Sequence, residues 1–320
     1  MVAQVTAEDV RTAAVRIEGH VERTPMIIAD VAGVRVWLKC ECLQTGGAFK
    51  LRGATNRLLQ LSAEERARGV VAFSSGNHAQ GVAIAAQRLG ICATIVMPSD
   101  APAVKVAGTS SHGAEIVFYD RRTESRIEIA AALAAERGGT VVPSFDDPAI
   151  VAGQGTAGIE IGQQLAEHGE APARRIVVPT GGGGLAAGIA LVCPEAGIVC
   201  VEPEGWDDMG RSLRGGEIVP VADDAPPTLC DALQTPLVSP ITFGILQARG
   251  AEAVAVSEAE VRDAVRFAWE KLRLVVEPGG AVALAALLAG RLKAEPGTVV
   301  LLSGGNVDPA LHAEIVGEGR

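Results

Sequence analysis

The apolar positions of this 320-residue chain fall into two alternating kinds of run. Short stretches rich in Val and Ile predict strands at Val34–Cys42, Val70–Phe73, Cys92–Met97, Glu115–Phe118, Thr140–Val142, Arg175–Val178, Gly197–Val201, Ala253–Val256 and Thr298–Leu302. In the first of these, Val34, Val36, Leu38 and Cys40 alternate with Arg35, Trp37 and Lys39, the period-two signature of a strand. Between the strands lie Ala-rich stretches with helical spacing. Val82, Ala85, Ala86 and Leu89 share one helix face, and the run stops at Gly90, a residue suited to a helix C-terminus. Ala48 to Leu59 is likewise predicted to be helical. Repeated strand–helix–strand order predicts an α/β protein with mostly parallel sheets. No long Pro/Ser linker and no internal repeat divides the chain, so two domains are expected to be interleaved rather than sequential. The strongest loop signal of the C-terminal half is Asp223-Asp-Ala-Pro-Pro-Thr228.

Composition narrows the function classes. Hydrophobic residues make up 48% and charged residues 21%, which excludes bulk disorder. Lys+Arg 28 minus Asp+Glu 38 gives a net charge of −10, a poor basis for coating nucleic acid. No apolar run is long enough to predict a membrane span, and the N-terminus, with Glu8 and Asp9, does not read as a secretory signal. Six dilute cysteines with no Cys-x-x-Cys predict reduced thiols and a cytoplasmic protein. Glycine is the outlier: 38 residues, about 12% against a usual 7%.

The glycines cluster where chemistry is expected. Gly46-Gly-Ala-Phe-Lys50 puts Lys50 in the first turn of a helix, whose positive dipole end disfavours an ammonium. That suits a lysine that forms a Schiff base; the competing reading is a solvated lysine. Ser74-Ser-Gly-Asn-His-Ala-Gln-Gly81 follows a strand and opens a helix, which makes an anion site or a simple cap. His78 alone reads as structural. Thr180-Gly-Gly-Gly-Gly-Leu185 exposes successive backbone N–H groups between a strand and a helix, a phosphate-binding geometry. The same segment fits Gly-x-Gly-x-x-Ala, with Glu202 about 20 residues on, as in a nicotinamide dehydrogenase. That rival leaves the Lys50 and Ser74–Gln80 segments without a role. Leu301-Leu-Ser-Gly-Gly-Asn306 is a further strand-to-glycine turn, and Glu202-Pro-Glu-Gly-Trp-Asp-Asp208 offers hard oxygen ligands or a solvated acidic loop.

Together these segments resemble the serine/threonine dehydratase and serine racemase family, fold-type II enzymes that use pyridoxal 5′-phosphate (PLP). The resemblance runs from Thr24-Pro25 to Ser303-Gly-Gly-Asn306. It includes Met97-Pro-Ser-Asp-Ala-Pro102 with Lys105, Gly153-Gln-Gly-Thr156 and Val276-Glu-Pro-Gly-Gly280. It implies two open α/β domains of the tryptophan synthase β-like type, a large one from 1–53 and 147–320 and a small inserted one at 54–146. It further implies Lys50 as the PLP lysine, flanked by Phe49. Asn77 lies at the phenolic oxygen, Gly181, Gly182, Gly183 and Gly184 at the phosphate, and Ser303 at the pyridine nitrogen, with Glu277 nearby. Ser74, Ser75, Gly76 and His78 form the substrate site. Ser75 is also the racemase base on the face opposite Lys50. Glu202, Asp208 and the Trp206 carbonyl form a site for Mg²⁺, Mn²⁺ or Ca²⁺. A homodimer is expected.

The chain departs from the family at Gly46-Gly47-Ala48, where a hydroxyl residue is usual, and at Leu229-Cys-Asp-Ala232 and Glu277-Pro-Gly-Gly-Ala281. The implied reaction is β-elimination from a 3-hydroxy amino acid such as serine, threonine or 3-hydroxyaspartate, giving a 2-oxo acid and ammonia. An amino-acid racemase and a non-catalytic PLP-binding protein are the alternatives. An acidic substrate requires a cation at its side chain, and Arg52, Arg121, Arg122 and Arg126 are the candidates.

Overall fold

The structure is a computed structural model that describes residues 4–74, 76–101 and 103–318. Its strands are β1 (Met26–Val31), β2 (Val34–Lys39), β3 (Val70–Phe73), β4 (Ala93–Pro98), β5 (Glu115–Tyr119), β6 (Thr140–Val141), β7 (Arg175–Pro179), β8 (Gly197–Pro203), β9 (Glu252–Val256) and β10 (Thr298–Leu301). They form two sheets. One has the order β1-β2-β10-β7-β8-β9, and the other has the order β5-β4-β3-β6. Every pairing is parallel except β1 with β2, where Met26 faces Lys39 and Val31 faces Val34.

Two expectations need adjustment. The strand from Val34 ends at Lys39 rather than Cys42, because Glu41–Leu43 turns as a 3₁₀ helix. β1 was not anticipated: its Met-Ile-Ile-Ala-Asp-Val run follows neither a clean alternation nor a continuous apolar pattern. It is held as an antiparallel edge by the hairpin at Ala32-Gly33, both at positive φ. The helix expected from Ala48 begins at Lys50 and ends at Leu59. The helix Asn77–Leu89 ends at Gly90 in the left-handed conformation, as its sequence anticipates.

Both faces of the larger sheet are covered, and successive residues of a strand serve opposite cores. Ile176, Val178, Ile198, Cys200, Val299 and Leu301 enter the core that holds the helices Pro148–Glu167 and Gly184–Val192. Val177, Val199, Val201 and Val300 enter the other, beside the helix Pro278–Leu288. This explains why the central strands read as nearly continuous apolar runs. In the smaller sheet, Val70, Ala72, Ile95 and Met97 face the helix Asn77–Leu89, while Val71 and Val96 face Ala130 and Ala134. The loops carrying the glycine motifs leave the carboxyl ends of β2, β3, β7 and β10. In open parallel sheets this edge is where ligands bind.

Candidate active site

Lys50 is delivered by a loop zipped onto the end of β10. Ala48 bridges Gly304, the Phe49 N–H donates to the Ser303 carbonyl at 3.2 Å, and the Gly305 N–H donates to the Gly47 carbonyl at 2.8 Å. Gly46 and Gly47 both have positive φ, so the turn before the lysine requires them. Lys50 Nζ donates to the Ser144 carbonyl at 3.0 Å and lies 5.1 Å from the centre of the Phe49 ring. No carboxylate pairs with it among the described residues. The residue keeps some solvent contact, but its amine end is enclosed, and burial brings its pKa down to about 8. Lys50 is the first residue of its helix, as its sequence anticipates, and burial lowers its pKa.

Gly181 to Gly184 curl between β7 and the helix Gly184–Val192. Among the described residues, none of their N–H groups donates a hydrogen bond, so four successive donors are free at a helix start. Side chains are excluded by contact: a Cβ at Gly182 would lie 2.3 Å from the Phe145 ring, and one at Gly183, at φ +82°, would meet Met209. A tetrahedral anion such as a phosphoryl group fits this cradle.

Asn77 opens the helix Asn77–Leu89 and is buried. Its Nδ2 donates to Glu277 Oε1 at 2.5 Å, and its Oδ1 accepts from Asn306 Nδ2 at 2.8 Å. Glu277 is itself buried; burial raises its pKa, against the opposing hydrogen bond from Asn77 and the charge of Lys105. Lys105 pairs with Asp231, tying the helix Ala103–Ser110 to the 3₁₀ turn Asp231–Leu233. Ser303 is buried in the same neighbourhood, at the end of β10.

Ser74 follows β3, and its hydroxyl accepts from the Gly76 N–H at 3.2 Å. Ser75 lies outside the described residues. His78 is buried, with Nε2 2.9 Å from the Val142 carbonyl. Burial, and secondarily the charge of Lys50, lowers its pKa to about 3, so the ring is neutral and Nε2 carries the proton. Its Nδ1 has no partner among the described residues. This is a structural histidine close to the lysine.

Of the four arginines, Arg52 is fully engaged in the interior with Glu41 and Glu160, Arg121 pairs with Asp100, and Arg122 pairs with Asp120. Arg126 has no carboxylate partner among the described residues; its guanidinium lies 5.8 Å from the Phe73 ring. With Ser74, Tyr119, Arg121, Asp231 and Gln234 it lines a polar cleft of about 80 Å³. A larger, mostly apolar groove of about 450 Å³ lies near Arg11, Ile159 and Cys193 and holds none of the expected site residues.

Glu202 and Asp208 are both buried. Glu202 accepts from the Met209 and Gly210 N–H groups at 2.9 and 2.8 Å. Both oxygens of Asp208 lack partners among the described residues. Burial raises Asp208 to about 7, and burial together with Asp208 raises Glu202 well above the carboxylate range. Two buried acids of like charge, one of them unpartnered, suit a cation. Among the described residues no third acidic, His or Cys side chain joins them, so backbone and water would complete any shell. The Trp206 indole donates to the Pro226 carbonyl and is not part of the pair.

Asn306, Lys105 and Asp231 stand in the sequence motifs without a role of their own, and Phe145 stands in none of them. Their partners lie far away in the chain, and no local spacing signals such contacts.

Residues 17–305 match the family model described as pyridoxal-phosphate-dependent enzyme. The chain is 43% identical to an L-threo-3-hydroxyaspartate ammonia-lyase of Pseudomonas sp., over 96% of this chain and 97% of that one. It is 41% identical to an L-threo-3-hydroxyaspartate ammonia-lyase of Saccharomyces cerevisiae, over 97% and 96%. Its structure superposes on that of maize serine racemase with a TM-score of 0.91 at 33% identity, over 98% and 97% of the two chains. A desolvated lysine, a glycine cradle with free N–H donors and a serine at the end of the neighbouring strand are the parts such an enzyme needs, and with them in place the chain belongs to the PLP-dependent enzyme family, fold type II.

Proposed function

We propose that this PLP-dependent ammonia-lyase of 3-hydroxy amino acids takes 3-hydroxyaspartate as its substrate and that Arg126 reads the second carboxylate. The observation that carries the reading is the free guanidinium of Arg126 in the cleft beside Ser74. Serine and threonine have no group for it. A dianionic substrate does, and an Arg–carboxylate pair supplies both charge and geometry. The similarity to two 3-hydroxyaspartate ammonia-lyases supports the same substrate.

PLP, when bound, supplies an electron sink for the charge left at the substrate Cα. The chain supplies the rest. The N–H groups of Gly181 to Gly184 would hold the phosphate, the neutral Ser303 would serve the ring nitrogen, and Asn77 would donate to the phenolic oxygen. Ser74 and the N–H of Gly76 orient the α-carboxylate. Lys50 Nζ takes the α-proton; the burial that brings its pKa down to about 8 in the PLP-free chain moves it toward the free base. The 3-hydroxyl departs with a proton as water, and the resulting enamine, once tautomerised to its imine, takes up water to give a 2-oxo acid and ammonia. Residues 54–146 act as a small domain that closes over the substrate and excludes water. Glu202, Asp208 and the Trp206 carbonyl would hold Mg²⁺ or a similar hard cation, with water completing the shell. The chain acts as a cytoplasmic homodimer, a state that light scattering checks directly.

Steady-state kinetics on both diastereomers of 3-hydroxyaspartate, serine and threonine test the substrate. Arg126→Met is expected to lower kcat/KM for 3-hydroxyaspartate about 100-fold, the worth of a charged hydrogen-bonded pair, while serine turnover changes little. An equal loss for both substrates removes Arg126 from substrate recognition. Similarity to serine racemase makes inversion the second reading, and a chiral assay of recovered serine and aspartate decides whether Ser75 supplies the opposite-face base. For the cation, EDTA is expected to lower the free energy of unfolding and Mg²⁺ to restore it, by about 2.7 kcal/mol at a hundredfold excess over Kd. Asp208→Asn is expected to lose the response. Unchanged stability and activity under chelation would leave the acid pair without a cation.

A further inference from the structure

Asn306 belongs to no role assigned so far, yet it sits where four chain segments meet. Its Nδ2 donates to the Gly46 carbonyl at 2.8 Å and to Asn77 Oδ1 at 2.8 Å. Asn77 Nδ2 in turn donates to Glu277 Oε1 at 2.5 Å. Room for this chain is built into the backbone. A Cβ on Gly47 would lie 2.2 Å from Asn306 Oδ1, and a Cβ on Gly304 would lie 2.0 Å from Glu277 Oε1.

The direction of these bonds follows from one fixed acceptor. A backbone carbonyl can only accept, so the Gly46 carbonyl requires the nitrogen, not the oxygen, of Asn306 to face it. The second hydrogen of that nitrogen then faces Asn77 and requires an oxygen there. Asn77 is left with its NH₂ on the other side, one hydrogen on Glu277 and one free. Reversing Asn77 would set its NH₂ against the NH₂ of Asn306. An amide that can flip is thereby locked into one orientation by a carbonyl in the same loop that delivers Lys50.

We infer that Asn306 is a positioning residue that fixes the Asn77 carboxamide with its NH₂ toward the cofactor's phenolic oxygen. This rests on the reading above that Asn77 serves that oxygen. A locked donor favours the anionic oxygen and so lowers the pKa of the lysine–PLP linkage. Without Asn306, only the bond to Glu277 opposes the flip that would present the amide oxygen, a lone pair against an oxyanion.

A spectroscopic pH titration of the holoenzyme reads this directly from the visible absorbance of lysine-bound PLP, without turnover. Asn306→Asp keeps the shape and loses both donors; Asn306→Leu keeps the size and loses all polarity. Each is expected to raise the linkage pKa by about one unit, the worth of one hydrogen bond to a charged group. Asn77→Leu is expected to raise it at least as much. In the Asn77→Leu background, Asn306→Leu is expected to add nothing, because it acts through Asn77. Unshifted titrations in both Asn306 variants, or additive shifts in the double variant, overturn the inference while leaving Asn77 in place. An unshifted Asn77→Leu removes Asn77 from the cofactor, and the inference with it. Should one Asn306 variant fail to fold, the other carries the comparison.

Discussion

Lys50 and Arg52 lie two residues apart on one helix and face about 200° apart around it. Both cations are withdrawn from water, and their surroundings treat them in opposite ways. Lys50 has no carboxylate partner among the described residues, and burial lowers its pKa to about 8. Arg52 receives a bidentate pair from Glu41 at 2.8 and 2.9 Å and reaches Glu160 at 2.6 and 2.8 Å. Its pKa is raised, because the two acids outweigh burial. Lys39, also on Glu160 at 2.6 Å, balances the second acid. Two cations and two carboxylates cancel. Burial alone thus makes a reactive amine, and burial with matched counter-charge makes a permanent cation that anchors β2, the helix Lys50–Leu59 and the helix Pro148–Glu167 together. The fold places both side by side, holding the lysine's backbone rigid while leaving its amine unpaired.

The largest expected effect breaks the first half of this contrast. Lys50→Ala is expected to abolish the visible absorbance of lysine-bound PLP and to reduce turnover by at least about 10⁴-fold, the upper range for loss of a general base. Ordinary activity in that variant would sink the assignment of the lysine. Arg52→Leu breaks the second half. It strands two buried carboxylates against one lysine and is expected to cost about 3–5 kcal/mol in urea unfolding, with the absorbance band retained in the protein that stays folded. A loss under about 1 kcal/mol would mean that the network is not holding these elements together.

The smallest effect sharpens the comparison through pH. Unfolded Lys50 titrates near 10.5 and folded Lys50 near 8 in the PLP-free protein. Between these values the unfolded chain holds the extra proton, so the Lys50 contribution to stability rises with pH across that window and is flat below about 8. The stability of the PLP-free wild type relative to Lys50→Met is expected to improve by at most about 3 kcal/mol from pH 7 to 10.5. Arg52→Leu carries no such slope over that range, because the arginine does not titrate there. A constant difference between wild type and Lys50→Met would mean that the amine is not desolvated.

Much of this was legible along the chain. The strands β3, β7 and β8 follow their apolar runs, and the glycine run at Gly181–Gly184 lies at the start of a helix as its spacing anticipates. These signals are local: a period of two, a helix cap, consecutive glycines. The edge strand β1 left no such signal, because half of it faces solvent and its pairing partner, not its pattern, makes it a strand. Arg52 stood among the arginines for an acidic substrate, and sequence offered no means of excluding it. Glu160, which claims it, is 108 residues away.

The residue order by itself determined the α/β class, the glycine cradle, the lysine after its double glycine and the acid pair Glu202 and Asp208. Each depends on neighbours within a few residues. Only the tertiary structure decided which buried charge is paired and which is free, which of the four arginines has no carboxylate partner among the described residues, and which way the Asn77 amide points. Those outcomes depend on desolvation and on hydrogen-bond partners that meet only when the ends of β2, β3, β7 and β10 are brought to one edge.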